Sequence, residues 1–92
     1  MSNLLKDKVA IVTGGSRGIG KAIAKSLALE GVQISLIARN EERLRSASVE
    51  IQEVAKAKVI WVKGDLSVSE DIERIVKITQ ELLGVIDILI NN

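Results

Sequence analysis

Apolar and polar positions alternate along this chain in blocks whose period changes from one block to the next. Val9-Ala10-Ile11-Val12 is a continuous apolar run, the pattern of a strand buried on both faces. A glycine-rich stretch follows, and then Ile19, Ile23 and Leu27 recur every four residues with Ala22, Ala24 and Ala28 beside them. That spacing predicts a helix with a close-packing face, ended by Gly31. Val32 to Ile37 returns to strand. Asn40 then stands where it can cap a second helix, with Glu41 and Glu42 in its first turn and Leu44, Ala47, Ile51 and Val54 as its stripe.

Lys58 to Val62 predicts a third strand. Ser67 and Glu70 have the spacing of a capping box, opening a third helix that carries Ile72, Ile75, Val76, Thr79, Leu82 and Leu83 and stops at Gly84. Ile86 to Ile90 reads as a fourth strand. Strands alternate with helices through short connections, without a linker, repeat or low-complexity segment. The expected class is α/β, a parallel sheet wound by right-handed crossovers, in one domain over residues 1–92.

Composition narrows the chemistry. The chain has 92 residues, 47% of them apolar and 27% charged, which is globular rather than disordered. It has no Cys, so disulfides and thiolate chemistry are excluded, and no His, the commonest acid/base group and metal ligand. Thirteen basic residues against twelve acidic ones suggest no extended field for nucleic acid. Residues 1–8 lack the apolar core of a signal peptide, and no run reaches the roughly 18 apolar residues that span a bilayer. These features lead to the expectation of a cytoplasmic protein without nucleic-acid or membrane partners.

The stretch Thr13-Gly14-Gly15-Ser16-Arg17-Gly18-Ile19-Gly20 lies between a strand and a helix start. Bare backbone N–H groups and the helix dipole at such a place favour an anion, a phosphate above all. Three patterns compete. The P-loop pattern G-x-x-x-x-G-K-[ST] fits from Gly15 to Lys21 but ends on Ala22, which has no hydroxyl for magnesium. The strict G-x-G-x-x-G spacing fails as well. Thr-Gly-x-x-x-Gly-x-Gly is satisfied at every fixed position.

With this motif the chain resembles the short-chain dehydrogenase/reductase family, notably its 3-oxoacyl-carrier-protein-reductase-like members. Ala38-Arg39-Asn40 after the second strand, Gly64-Asp65-Leu66 after the third and Asn91-Asn92 after the fourth extend the likeness over all 92 residues. The plain alternative for the glycines is a helix-start turn without a ligand. The resemblance implies a Rossmann-type doubly wound sheet of strand order 3-2-1-4, with Thr13, Gly14, Gly15, Ser16, Arg17, Gly18, Ile19 and Gly20 at the cofactor. It also implies Asp65 beside the adenine, the Leu66 backbone close by, and Asn91 near the adenine ribose. For Asp65 the alternative is an ordinary turn aspartate.

Dinucleotide sites discriminate at the end of the second strand, where an acidic side chain suits the NAD ribose and Arg suits the NADP 2′-phosphate. Here Ala38 stands where NAD-using relatives place Asp, and Arg39 follows it. Arg39 offers a planar fork of donors, and Arg17 in the glycine loop adds a second cation. The expected cofactor is NADP rather than NAD; the competing reading is two solvated surface arginines. Lys21, expected on an exposed helix face, Asp87 and Trp61 receive no role.

The family's reaction is reversible hydride transfer between the nicotinamide and a carbonyl or alcohol carbon, with a Tyr as proton donor. This chain contains no Tyr. No catalytic residue is therefore assigned, and the chain is expected to be an inactive N-terminal portion of a longer, homo-oligomeric oxidoreductase acting on a small molecule. With order 3-2-1-4, two helices cover one face of the sheet and one helix the other, so exposed apolar surface is expected. The alternatives are a non-catalytic nucleotide-binding or subunit-pairing module and a decayed truncated gene product.

Overall fold

The computed structural model describes residues 4–92, so the reading of residues 1–8 as lacking a leader falls in part outside the described residues. Seven elements follow one another: β1 (Val9–Thr13), α1 (Gly18–Leu29), β2 (Gln33–Ala38), α2 (Glu41–Val54), β3 (Val59–Lys63), α3 (Ser69–Leu82) and β4 (Ile88–Ile90). The strands form one sheet in the order β3-β2-β1-β4, as expected, and every pairing is parallel. Val12 is the hub, aligned with Leu36 on one side and Ile90 on the other.

Successive strand residues point to opposite faces, and both faces are covered. On one face Ala10, Val12, Ile34 and Leu36 pack with Ala24 and Ala28 of α1 and with Leu44, Ala47 and Ile51 of α2. On the other, Ile11, Ile37 and Val62 meet Ile75 of α3. This is a four-stranded part of a doubly wound sheet, two helices on one side and one on the other. The side with a single helix is the thinner one, and Leu82, Val85 and Leu89 stay exposed near it.

Helix ends follow local chemistry. Gly31 takes φ +88° after the Glu30 cap of α1, the left-handed turn that lets the chain enter β2. Asn40 caps α2 by accepting a hydrogen bond from the Arg43 N–H at 3.0 Å. The capping box expected at α3 does not form. Val68 is the cap residue and contributes no side-chain bond, while the Ser67 hydroxyl turns back to Asp65. In a capping box the Ser67 oxygen would accept from a first-turn N–H of α3; here its hydroxyl donates to Asp65 instead.

Two other expectations are corrected. The buried face of α1 is Gly20, Ala24 and Ala28, and Ile19 is 71% exposed. The helix lies so close to the sheet that only small residues fit between them, and Ile19, about 100° further round, points to solvent. Val54 and Ile72, expected on buried stripes, are exposed at the margins of α2 and α3.

The polar residues left without a role also find places. Asp87 accepts a hydrogen bond from the Val9 N–H through Oδ2 at 2.9 Å, and its own N–H donates to the Val9 carbonyl. It thereby joins the approach to β4 to the start of β1. Lys21 is half-buried and pairs with Glu50 at 2.7 Å rather than projecting freely from its helix. Trp61 sits half-buried on the edge strand β3 with the Arg45 guanidinium 5.7 Å from its ring centroid. A buried hydroxyl pair, Ser35 to Thr79 at 2.9 Å, links β2 to α3.

Candidate functional site

The carboxyl ends of the four strands open into one cleft of about 740 Å³. In an open parallel α/β sheet this is the end where ligands bind, at the point where the strand order reverses. Here the reversal lies between β2 and β4, on either side of β1.

The glycine loop forms the floor. Gly14 and Gly18 have φ of +65° and +62°, a conformation in which a side chain is strained. The Gly14 N–H donates to the Ile37 carbonyl at 2.8 Å, which ties the loop to β2. Gly20, in the first turn of α1, lies directly against the loop. A Cβ there would collide with the Gly14 carbonyl oxygen and stand 2.8 Å from Asn92 Nδ2. A Cβ on Gly15 would come within 2.6 Å of the Leu36 side chain. Loop, helix start and strand thus meet backbone to backbone. No side chain caps α1, and no acidic residue occupies its first turn, so the positive end of the helix is left uncompensated beside the cleft.

Thr13 joins the floor to the far wall. Its hydroxyl lies 3.3 Å from the Ile90 carbonyl and 3.2 Å from Asn91 Oδ1 as donor, and it accepts from the Asn92 N–H at 2.9 Å. The ends of β1 and β4 are thereby held in register, and Asn91 and Asn92 line the cleft.

The opposite wall comes from the end of β2, the start of α2 and the turn after β3. Asp65 is its best-fixed polar group. One carboxylate oxygen accepts from both the hydroxyl and the N–H of Ser67, at 2.7 and 2.9 Å. These two bonds hold its pKa below the usual carboxylate range, with a smaller contribution from the Arg39 charge working against partial desolvation. Its other oxygen is 3.9 Å from an Arg39 guanidinium that is 82% exposed, a loose pair worth little by itself.

Of the residues singled out from the sequence, Thr13, Gly14, Ser16, Arg17, Arg39, Asp65, Leu66 and Asn91 line the cleft together. Gly15, Gly18 and Gly20 shape it from beneath or behind through their backbone. Ile19 belongs to the helix start, and its side chain leaves the site. The cleft also contains Asn40, Arg43, Gly64, Ser67 and Asn92, to which sequence reasoning gave no role in ligand contact. For Arg43 a signal existed. It is the third helical residue after the Asn40 cap, a position beside the helix mouth, and it lies four residues beyond Arg39.

Arg17, Arg39 and Arg43 face a cleft in which Asp65 is the one lining carboxylate, and the arrangement suits an anionic, extended ligand. Among the described residues no cluster of acidic side chains could hold a metal ion, and no helix is long and apolar enough to cross a membrane.

Comparison with known proteins agrees with this architecture. The sequence model of the family described as short chain dehydrogenase matches residues 8–92. A protein of Staphylococcus saprophyticus called an uncharacterized oxidoreductase is 43% identical over 88 residues, covering 96% of this chain and 38% of the relative. Farnesol dehydrogenase of Aedes aegypti is 41% identical over 85 residues, covering 92% of this chain and 35% of the enzyme. L-sorbose reductase of Gluconobacter frateurii, solved in complex with NADPH and L-sorbose, superposes with a TM-score of 0.93 at 38% identity. It covers 100% of this chain and 35% of the reductase. The chain thus spans little more than a third of the length of the proteins it matches. Its glycine loop, its strand order and this match over nearly all of its residues lead to one assignment: the chain belongs to the short-chain dehydrogenase/reductase family.

Proposed function

We propose that residues 1–92 are the dinucleotide-binding part of an oxidoreductase that prefers NADP(H) to NAD(H). The observation that carries the reading is at the end of β2. Ala38 lines the cleft where a carboxylate would select an unphosphorylated ribose, Arg39 follows it, and Arg17 approaches from the glycine loop. A carboxylate there would repel a 2′-phosphate, whereas two guanidinium groups attract one. The NADPH bound to the similar sorbose reductase supports the same choice.

The cradle fits a dinucleotide on its own geometry. Gly14, Gly15, Gly18 and Gly20 let a pyrophosphate approach the backbone at the uncapped start of α1, with Ser16 and the Ile19 N–H alongside. Asp65 and the Leu66 backbone are assigned to the adenine edge, and Asn91, held through Thr13, to the adjoining ribose. A bound nicotinamide cofactor supplies hydride chemistry between a carbonyl and an alcohol carbon. That interconversion is assigned to the longer proteins of which this chain spans a third. Within these residues there is no Tyr and no His to act as the acid, so the role assigned here is binding.

Fluorescence titration of the chain with NADPH and with NADH tests the reading. Tighter binding of NADPH is expected. Equal affinities for the two would overturn the cofactor assignment, and no binding of either would overturn the binding role.

A further inference from the structure

We propose that two side chains, Gln52 of α2 and Arg74 of α3, close the outer edge of β3 and keep a second copy of the chain from adding to the sheet there. β3 is the last strand on its side of the sheet, so one row of its backbone groups has no neighbouring strand. The ladder to β2 uses alternate residues. The Ile34 N–H donates to the Lys58 carbonyl at 2.9 Å, and the Gly64 N–H donates to the Ala38 carbonyl at 3.0 Å. By that alternation the N–H and C=O groups of Val59, Trp61 and Lys63 point away from β2. The run Val59-Ile60-Trp61-Val62 is uncharged and built of β-branched and aromatic residues, the composition that makes an open edge a template for another strand.

The outward groups at both ends of this strand are nevertheless occupied. Gln52 Oε1 accepts from the Val59 N–H at 2.9 Å, while its Nε2 donates to the Ala57 carbonyl at 3.1 Å. A carboxamide offers the same donor and acceptor as a peptide unit, so Gln52 stands where the backbone of an added strand would pair. At the other end Arg74 Nη2 donates to the Lys63 carbonyl at 2.7 Å. The two helices pack on opposite faces of the sheet, and each sends a side chain round to the same edge. What stays open between them is centred on Trp61, whose ring carries the Arg45 guanidinium 5.7 Å from its centroid. A second copy is the occupant such an edge would take, because its own apolar run offers a matching strand. Lys58 and Lys63, at the two ends of the run, set like charges against that pairing.

Amide exchange on the parent chain and Trp61 fluorescence on variants test the guard. By NMR the Val59 N–H should exchange about tenfold more slowly than the Trp61 N–H, although both point outward from one strand. Trp61 is the single tryptophan of the chain, so its emission reports on this edge even where copies meet elsewhere. In the parent that emission should not depend on protein concentration. In the double variant Gln52→Ala with Arg74→Ala it should move to shorter wavelength as concentration rises, because a second strand then covers the indole. Matching circular dichroism spectra would show that parent and variant are both folded. Should the double variant fail to fold, Gln52→Ala alone, a truncation at an exposed helix position, carries the same test. Equal exchange at Val59 and Trp61, a concentration-dependent emission in the parent, or a folded variant whose emission ignores concentration would each overturn the proposal.

Discussion

Ser67 donates twice to a single oxygen of Asp65, through its hydroxyl at 2.7 Å and its N–H at 2.9 Å, while the other carboxylate oxygen lies 3.9 Å from the Arg39 guanidinium. Two donors on one oxygen favour the ionised form, and the carboxyl is held below its usual range chiefly for that reason. Because the folded-state pKa lies below the unfolded one, the clamp stabilises the fold above the usual carboxylate range and loses this contribution as pH falls through and below it. Ser67→Ala removes the stronger donor. The Asp65 carboxyl, followed by NMR titration, should then move up toward the ordinary value, and the fold should lose part of its acid dependence in that window.

The two ends of the glycine loop respond differently to the same change. Gly18 has φ +62° and open space where a Cβ would stand, so Gly18→Ala costs backbone strain alone, on the order of 1 kcal/mol. Gly20 has no such strain, but its Cβ would meet the Gly14 carbonyl and Asn92. Gly20→Ala should cost about 1–3 kcal/mol of overpacking in a urea titration and weaken nucleotide binding as well, because the loop must shift to admit the methyl group.

Cofactor choice should be transferable at the end of β2. Ala38→Asp with Arg39→Ile introduces a carboxylate for the ribose hydroxyls and removes a guanidinium. The ratio of the Kd values for NADPH and NADH should move by about a hundredfold toward NADH in paired titrations. An unmoved ratio would locate discrimination elsewhere in the cleft.

Across the core, Ser35 and Thr79 satisfy each other at 2.9 Å with both side chains fully buried. Ser35→Ala alone orphans the Thr79 hydroxyl and should cost about 1–3 kcal/mol. Adding Thr79→Val removes the orphan. The double variant should be less destabilised than the sum of the singles, a coupling that a double-mutant cycle in urea would measure.

Most of the architecture was legible because parallel strands announce themselves as unbroken apolar runs and the glycines, Asn40 and Gly31 punctuate them. What escaped detection depended on distances across the chain. Periodicity placed Ile19, Ile23 and Leu27, with Ala22, Ala24 and Ala28 beside them, on the inner face of α1, but it carries no measure of how near the helix lies to the sheet. That nearness seats Gly20, Ala24 and Ala28 there, leaves Leu27 partly buried against the core and turns Ile19 outward. The Ser67 and Glu70 spacing signalled a cap, yet the Ser67 hydroxyl donates to an aspartate two residues upstream and caps nothing. Asp87 looked out of place in an apolar run until β1 brought the Val9 N–H to it. Arg39 could be placed from its strand, whereas Arg43 needed the direction in which α2 leaves that strand.

Asn92 donates its N–H to Thr13, a partner 79 residues away, and its side chain lies 3.1 Å from where a Cβ on Gly14 would be. The floor of the cleft and the end of β4 are therefore one unit, joined across 79 positions of sequence. A molecule captured there engages β1 and β4 together and binds only while the two strands are paired. By mass action it should then protect every element at once, raising global stability by about 2.7 kcal/mol at a hundredfold excess over its Kd.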